Sequence, residues 1–82
     1  MQRRVTASEK VGGYLVEMSR RARCDERGAM VLPISRYDIA DHLGLAVETV
    51  SRAMTDLSRR GRIALRGPRH IQIHDAALQA EG

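Results

Sequence analysis

Three side chains of different chemistry, Glu48, Ser51 and Arg52, lie within five residues of one another. On an α-helix, positions three and four residues after Glu48 are its surface neighbours, so the three form one patch. A carboxylate accepts from the cytosine amino group, and a guanidinium donates two bonds to guanine O6 and N7. A short hydroxyl can come close to a thymine methyl. The patch therefore has the chemistry to read base edges in a major groove. Catalytic chemistry is not written in the same way. His42, His70 and His74 are scattered, and no nucleophile is spaced with a base or a metal-ligand set.

Such a patch needs a helix with a buried opposite side. Val47, Val50, Met54 and Leu57 supply it, recurring at helical intervals along a helix expected over 47–60 and stopped by Gly61. A shorter helix is expected over 36–43, with Ile39, Ala40 and Leu43 inward. Ala40 is small enough for a second helix to cross above it. Ser35 is a good N-cap, and Asp38 three residues on completes a capping-box-like start. Gly44 stands where this helix must stop, in the left-handed conformation that glycine adopts cheaply. Residues 35–60 thus read as a helix-turn-helix. A plain helical hairpin of a small bundle would share the apolar spacing, and the exposed side chains favour the first reading.

The flanks complete an α+β plan. Val11, Tyr14, Leu15 and Met18 mark a helix over 6–23. Gly12 and Gly13 in its middle signal either close packing or a weak helix. Arg20, Arg21 and Arg23 suit a solvated last turn. A polar loop follows over 24–28, then a short strand over 30–32 that Pro33 terminates. Ile63 with Leu65, and Ile71 with Ile73, alternate around Arg66-Gly67-Pro68-Arg69, the pattern of a β-hairpin. A hairpin over 62–74 directly behind the second motif helix is a wing. Its basic tip, 66–70, can lie on a sugar–phosphate backbone, which makes Arg69 and His70 phosphate candidates. Asp75 is expected to cap a last turn through residue 78, before a frayed tail over 79–82. The expected architecture is a winged helix-turn-helix: three helices and a small antiparallel sheet from 30–33, 62–65 and 70–74, as one domain over 1–82.

Composition sets the outer bounds. Eighty-two residues allow one small core. Tyr14 and Tyr37 are the only aromatics, so the core must be aliphatic and methionine-filled, and single-stranded nucleic acid finds no stacking platform. The net charge is +4, and thirteen of the fourteen Lys and Arg residues are arginine. That balance attracts a polyanion, although a GC-rich genome would produce the same arginine excess. The single Cys24 allows no internal disulfide and no metal quartet. No run is long and apolar enough to span a membrane, and no signal peptide is read, so the expected location is the cytoplasm.

With motif and wing placed, residues 32–74 resemble the C-terminal DNA-binding domain of the Crp–Fnr family of bacterial transcription regulators. The family's start is matched by Leu32, Pro33, Ser35, Arg36, Asp38, Ile39, Ala40, Leu43 and Gly44. Its second helix is matched by Glu48, Thr49, Ser51 and Arg52. Leu15, Val16, Glu17, Met18 and Arg20 are similar to the preceding helix of FixK-like members. Ser51 looks like the Fnr/FixK branch, since the cyclic-AMP receptor branch has glycine there and arginine where this chain has Val47. The resemblance implies base contacts from Glu48, Ser51 and Arg52, phosphate contacts from Arg36 and Thr49, and a TTGA-type half-site in a palindrome. It implies double-stranded DNA as partner, a homodimer in the full-length regulator, and contact with RNA polymerase. Ala46 departs from the pattern, standing where the family usually has a Ser or Thr N-cap. The family's β-roll sensor and long dimerisation helix are not among these residues. No cofactor is expected in this chain, and any sensor ligand would belong to that other domain. The rival reading is a winged-helix protein-interaction module, in which Glu48 and Arg52 merely pair with each other at i, i+4.

Overall fold

Helix α1 (Ala7–Ser19) leads into strand β1 (Met30–Val31), followed by α2 (Arg36–Leu43), α3 (Val47–Arg59), β2 (Ile63–Leu65) and β3 (His70–Ile73). A computed structural model describes residues 5–67 and 69–74. The winged helix-turn-helix expected from the sequence forms with all three helices and the hairpin. The cap expected at Asp75 and the tail lie outside the described residues.

Helix α1 starts where Thr6 accepts a hydrogen bond from the Glu9 amide at 3.1 Å, which satisfies one of the helix's orphan donors. Val11 and Leu15 are fully buried, and Tyr14 and Met18 pack at the edge of the same core. The helix stops at Ser19 rather than running to residue 23. The reason is tertiary. The Arg23 carbonyl accepts from the Val31 amide at 2.8 Å, and Cys24 forms a bridge with Met30, so this stretch is drawn out towards the sheet. Arg20 and Arg21 consequently lie beyond the last turn, where both reach back to Glu17, at 3.9 and 3.2 Å. Gly12 is buried in the α1 interface, whereas a Cβ on Gly13 would meet open space.

The two motif helices show opposite treatments of their N-termini. Ser35 caps α2 through a complete capping box with Asp38. At its other end Gly44 takes the left-handed conformation (φ 69°, ψ 33°), and the Leu45 amide closes the turn on the Ala40 carbonyl at 2.8 Å. Ala46 begins α3 with no side-chain cap. Changing Ala46→Ser should therefore raise stability by about 1 kcal/mol. Urea titration checks this, and an unchanged midpoint would mean that solvent already satisfies the exposed amides.

Helix α3 is the centre of the core and packs against both α1 and α2. Val50, Ala53, Met54 and Leu57 are buried on its inner side, and Val47 packs at the margin. Ile39 and Ala40 meet them from α2. The sheet closes the remaining side. Its strand order is β1-β3-β2, all antiparallel, with Met30 opposite Ile71 and Ile63 opposite Ile73. Met30, Leu32, Ile63 and Ile71 are its buried contribution. The returning strand β3 thus lies in the middle, held between the chain before the motif and the chain after it. This arrangement joins the wing to the helical core.

Candidate nucleic-acid interface

Burial of the Val50–Met54–Leu57 side of α3 fixes which residues face outward. Glu48 and Arg52 are exposed, and Thr49 and Ser51 are half-buried. Neither Glu48 nor Arg52 has a side-chain hydrogen bond or ion pair among the described residues. The i, i+4 pair that would consume them is not formed, so a carboxylate and a guanidinium stand side by side with their bonding capacity unspent. Ser51 is different. Its hydroxyl oxygen accepts from Arg36 Nη1 at 3.4 Å, across the turn of the motif. Arg36 is the first residue of α2, so this bond links the start of one helix to the exposed patch of the next. The family resemblance implies a phosphate contact for Arg36, and no local pattern carries its bond to Ser51, because only the helix crossing brings the two positions together.

Two further phosphate candidates, Arg69 and His70, lie on the wing, and Thr49 lies on α3. The hairpin is closed by the Arg66 amide on the His70 carbonyl at 2.8 Å. Arg66 reaches diagonally to Gln72, whose side-chain oxygen accepts from its Nε and Nη2 at 3.3 and 3.0 Å. Arg69 is exposed, and its carbonyl holds the Leu32 amide at 2.8 Å. Its guanidinium has no partner among the described residues.

His70 is engaged by Asp25, from the polar loop that precedes β1. Its Nδ1 lies 3.0 Å from Asp25 Oδ2. The other Asp25 oxygen accepts from the amides of Arg27 and Ala29, at 2.8 and 3.0 Å. The Asp25 amide donates to the Ala29 carbonyl at 2.8 Å. Gly28 completes this turn with φ 82°. The His70 hydrogen bond, with help from the Ala29 amide, holds the Asp25 carboxyl below the usual carboxylate range. The Asp-x-x-Gly order is a turn signal readable in sequence, but its bond to residue 70 is not.

His42, expected on the exposed side of α2, is exposed and also sets its ring against Tyr14, with centroids 5.3 Å apart. Cys24 is exposed. Among the described residues, no three His, Cys, Asp or Glu side chains gather as metal ligands, and no helix is long and apolar enough to cross a membrane.

Comparison with known proteins places this geometry. The family model for the Crp-like helix-turn-helix domain matches residues 9–79. The chain is 45% identical over 73 residues to the nitrogen fixation regulation protein FixK of Rhizobium meliloti, covering 85% of this chain and 32% of the relative. It is 42% identical to the transcriptional activator protein FnrL of Cereibacter sphaeroides, covering 95% of this chain and 34% of the relative. Among solved structures, FixK2 from Bradyrhizobium japonicum superposes with a TM-score of 0.79 at 43% identity, over 92% of this chain and 37% of that one. The chain thus spans about a third of the length of these relatives. Matched along most of its length in both sequence and fold, the chain belongs to the family of Crp-like helix-turn-helix domains.

Proposed function

We propose that this chain binds double-stranded DNA sequence-specifically, as the DNA-reading part of a Crp–Fnr-type transcription regulator. The observation that carries the reading is the outer face of α3, where Glu48 and Arg52 are exposed beside Ser51 and without a side-chain partner among the described residues. Helix α3 enters the major groove with these three side chains on base edges. The half-site is of the TTGA type and repeats as a palindrome, because the regulator acts as a homodimer. Arg36, Thr49, Arg69 and His70 contact the sugar–phosphate backbone and set the register without reading sequence. RNA polymerase is the further partner of the whole regulator, and a sensor ligand, where there is one, binds outside these residues. The role is recognition rather than catalysis, in keeping with the regulator names of the relatives. The interaction-module reading would let Glu48 and Arg52 pair with each other at i, i+4, and no such pair forms between them.

The test is a mobility shift with a TTGA-containing palindromic duplex and a scrambled duplex, over a salt series. The palindrome should bind more tightly, and affinity for both should fall steeply with salt. Arg69→Ala should weaken both duplexes about equally and reduce the salt slope by about 1. Equal, salt-independent affinity for the two duplexes would refute the reading. A change of sequence preference in Arg69→Ala would refute its assignment to phosphate.

A further inference from the structure

We propose that Asp25 is a positioning residue for DNA binding: it takes the Nδ1–H of His70, turns Nε2 of the ring towards a phosphate oxygen, and so makes duplex binding take up one proton. The inference rests on the reading of the domain as a duplex-DNA binder.

The geometry supplies each step. Asp25 is built into its turn. One carboxylate oxygen is held by two backbone amides, which leaves the other to face His70 at 3.0 Å. An ionised carboxylate can only accept, so the hydrogen in the Asp25–His70 bond sits on Nδ1. The second ring nitrogen, Nε2, is then the one left to face a phosphate oxygen. The His70 side chain is 42% exposed, and its Nε2 has no partner among the described residues.

In the neutral ring Nε2 carries a lone pair, which repels a phosphate oxygen. Protonated at Nε2, the ring donates to phosphate on one side and to Asp25 on the other, with both bonds charge-assisted. The surrounding charges fit this use. Arg66 and Arg69 flank His70 on the hairpin, and Glu26 and Arg27 follow Asp25 in the loop. Strand β1 brings only Met30 and Val31 against β3, so Asp25 is the one carboxylate bonded to the ring among the described residues. The same kind of second partner fixes the tautomer of working histidines elsewhere.

The experiment measures duplex affinity at fixed ionic strength from about pH 5 to 8, the range in which histidine changes charge. Wild-type affinity should fall as pH rises, by up to about tenfold per pH unit. His70→Gln should flatten this dependence, while His42→Gln and His74→Gln should keep it. Asp25→Asn should lower affinity most at the acid end of the range, because the protonated ring loses its charge-assisted bond to the carboxylate. Nitrogen–proton NMR of the wild-type ring should show the neutral form protonated at Nδ1, an observation that requires no variant to fold. A wild-type pH slope retained in His70→Gln, an Asp25→Asn profile like wild type, or a ring protonated at Nε2 would each overturn the inference. Absence of duplex binding by the wild type at every pH would instead overturn the functional reading on which it rests.

Discussion

Replacing Arg52 with alanine should erase the preference for the G·C pair of the half-site while leaving salt-dependent, non-specific binding nearly intact. A guanidinium forking onto guanine O6 and N7 distinguishes guanine from the other bases in the major groove, and is worth about 1–3 kcal/mol of discrimination. That corresponds to roughly 5- to 150-fold in relative affinity. The effect should be this clean because Arg52 is exposed and makes no side-chain bond among the described residues. Its removal orphans no buried partner and leaves no cavity, so the folded state should not change. Glu48→Ala should relax the same core of the site, through the loss of an acceptor for a cytosine amino group. Ser51→Gly should shift preference towards the cyclic-AMP-receptor type of site. Competition across all single-base variants of the half-site measures these effects. Unchanged specificity in Arg52→Ala would reduce the patch to solvated charge.

Leu15→Ala should produce the largest loss of stability and no selective loss of base readout. Leu15 is fully buried on α1, against the core centred on α3. Truncating such a residue costs about 2–5 kcal/mol, because the cavity only partly collapses. At about 0.05–0.15 kcal/mol per residue, a domain of 82 residues has about 4–12 kcal/mol in total. The variant should therefore unfold at a much lower urea concentration with the same slope. Its relative affinities for half-site variants, measured where it remains folded, should match wild type. A changed base preference would mean that α1 tunes the angle of α3 as well as supporting it.

Elements whose signals are local were legible. The capping box at Ser35 and the left-handed Gly44 are backbone chemistry carried by single residues, and they set the ends of α2 where expected. The apolar side of α3 is a periodic pattern, so the sequence also determined which of its residues must face outward. That is why Glu48, Ser51 and Arg52 could be singled out before any fold was known. The existence of the hairpin followed from alternation of Ile63, Leu65, Ile71 and Ile73 about a glycine-containing turn, and its register was set by the fold.

Other features depended on pairs of residues far apart in the chain. The end of α1 at Ser19 was not visible, because helix propensity continues past it. The competing sheet bond from Val31 to the Arg23 carbonyl decides the matter. The Arg36–Ser51 bond exists only because the motif's turn crosses the two helices at that point. The Asp25–His70 contact joins residues 45 positions apart. Sequence by itself determined the motif, its buried side and the chemistry of the face left over, since each depends on short-range periodicity or on one residue's backbone preference. Tertiary structure alone decided which of those polar groups are free and which are held, because the partner of a side chain is set by packing between elements, and no local pattern encodes it.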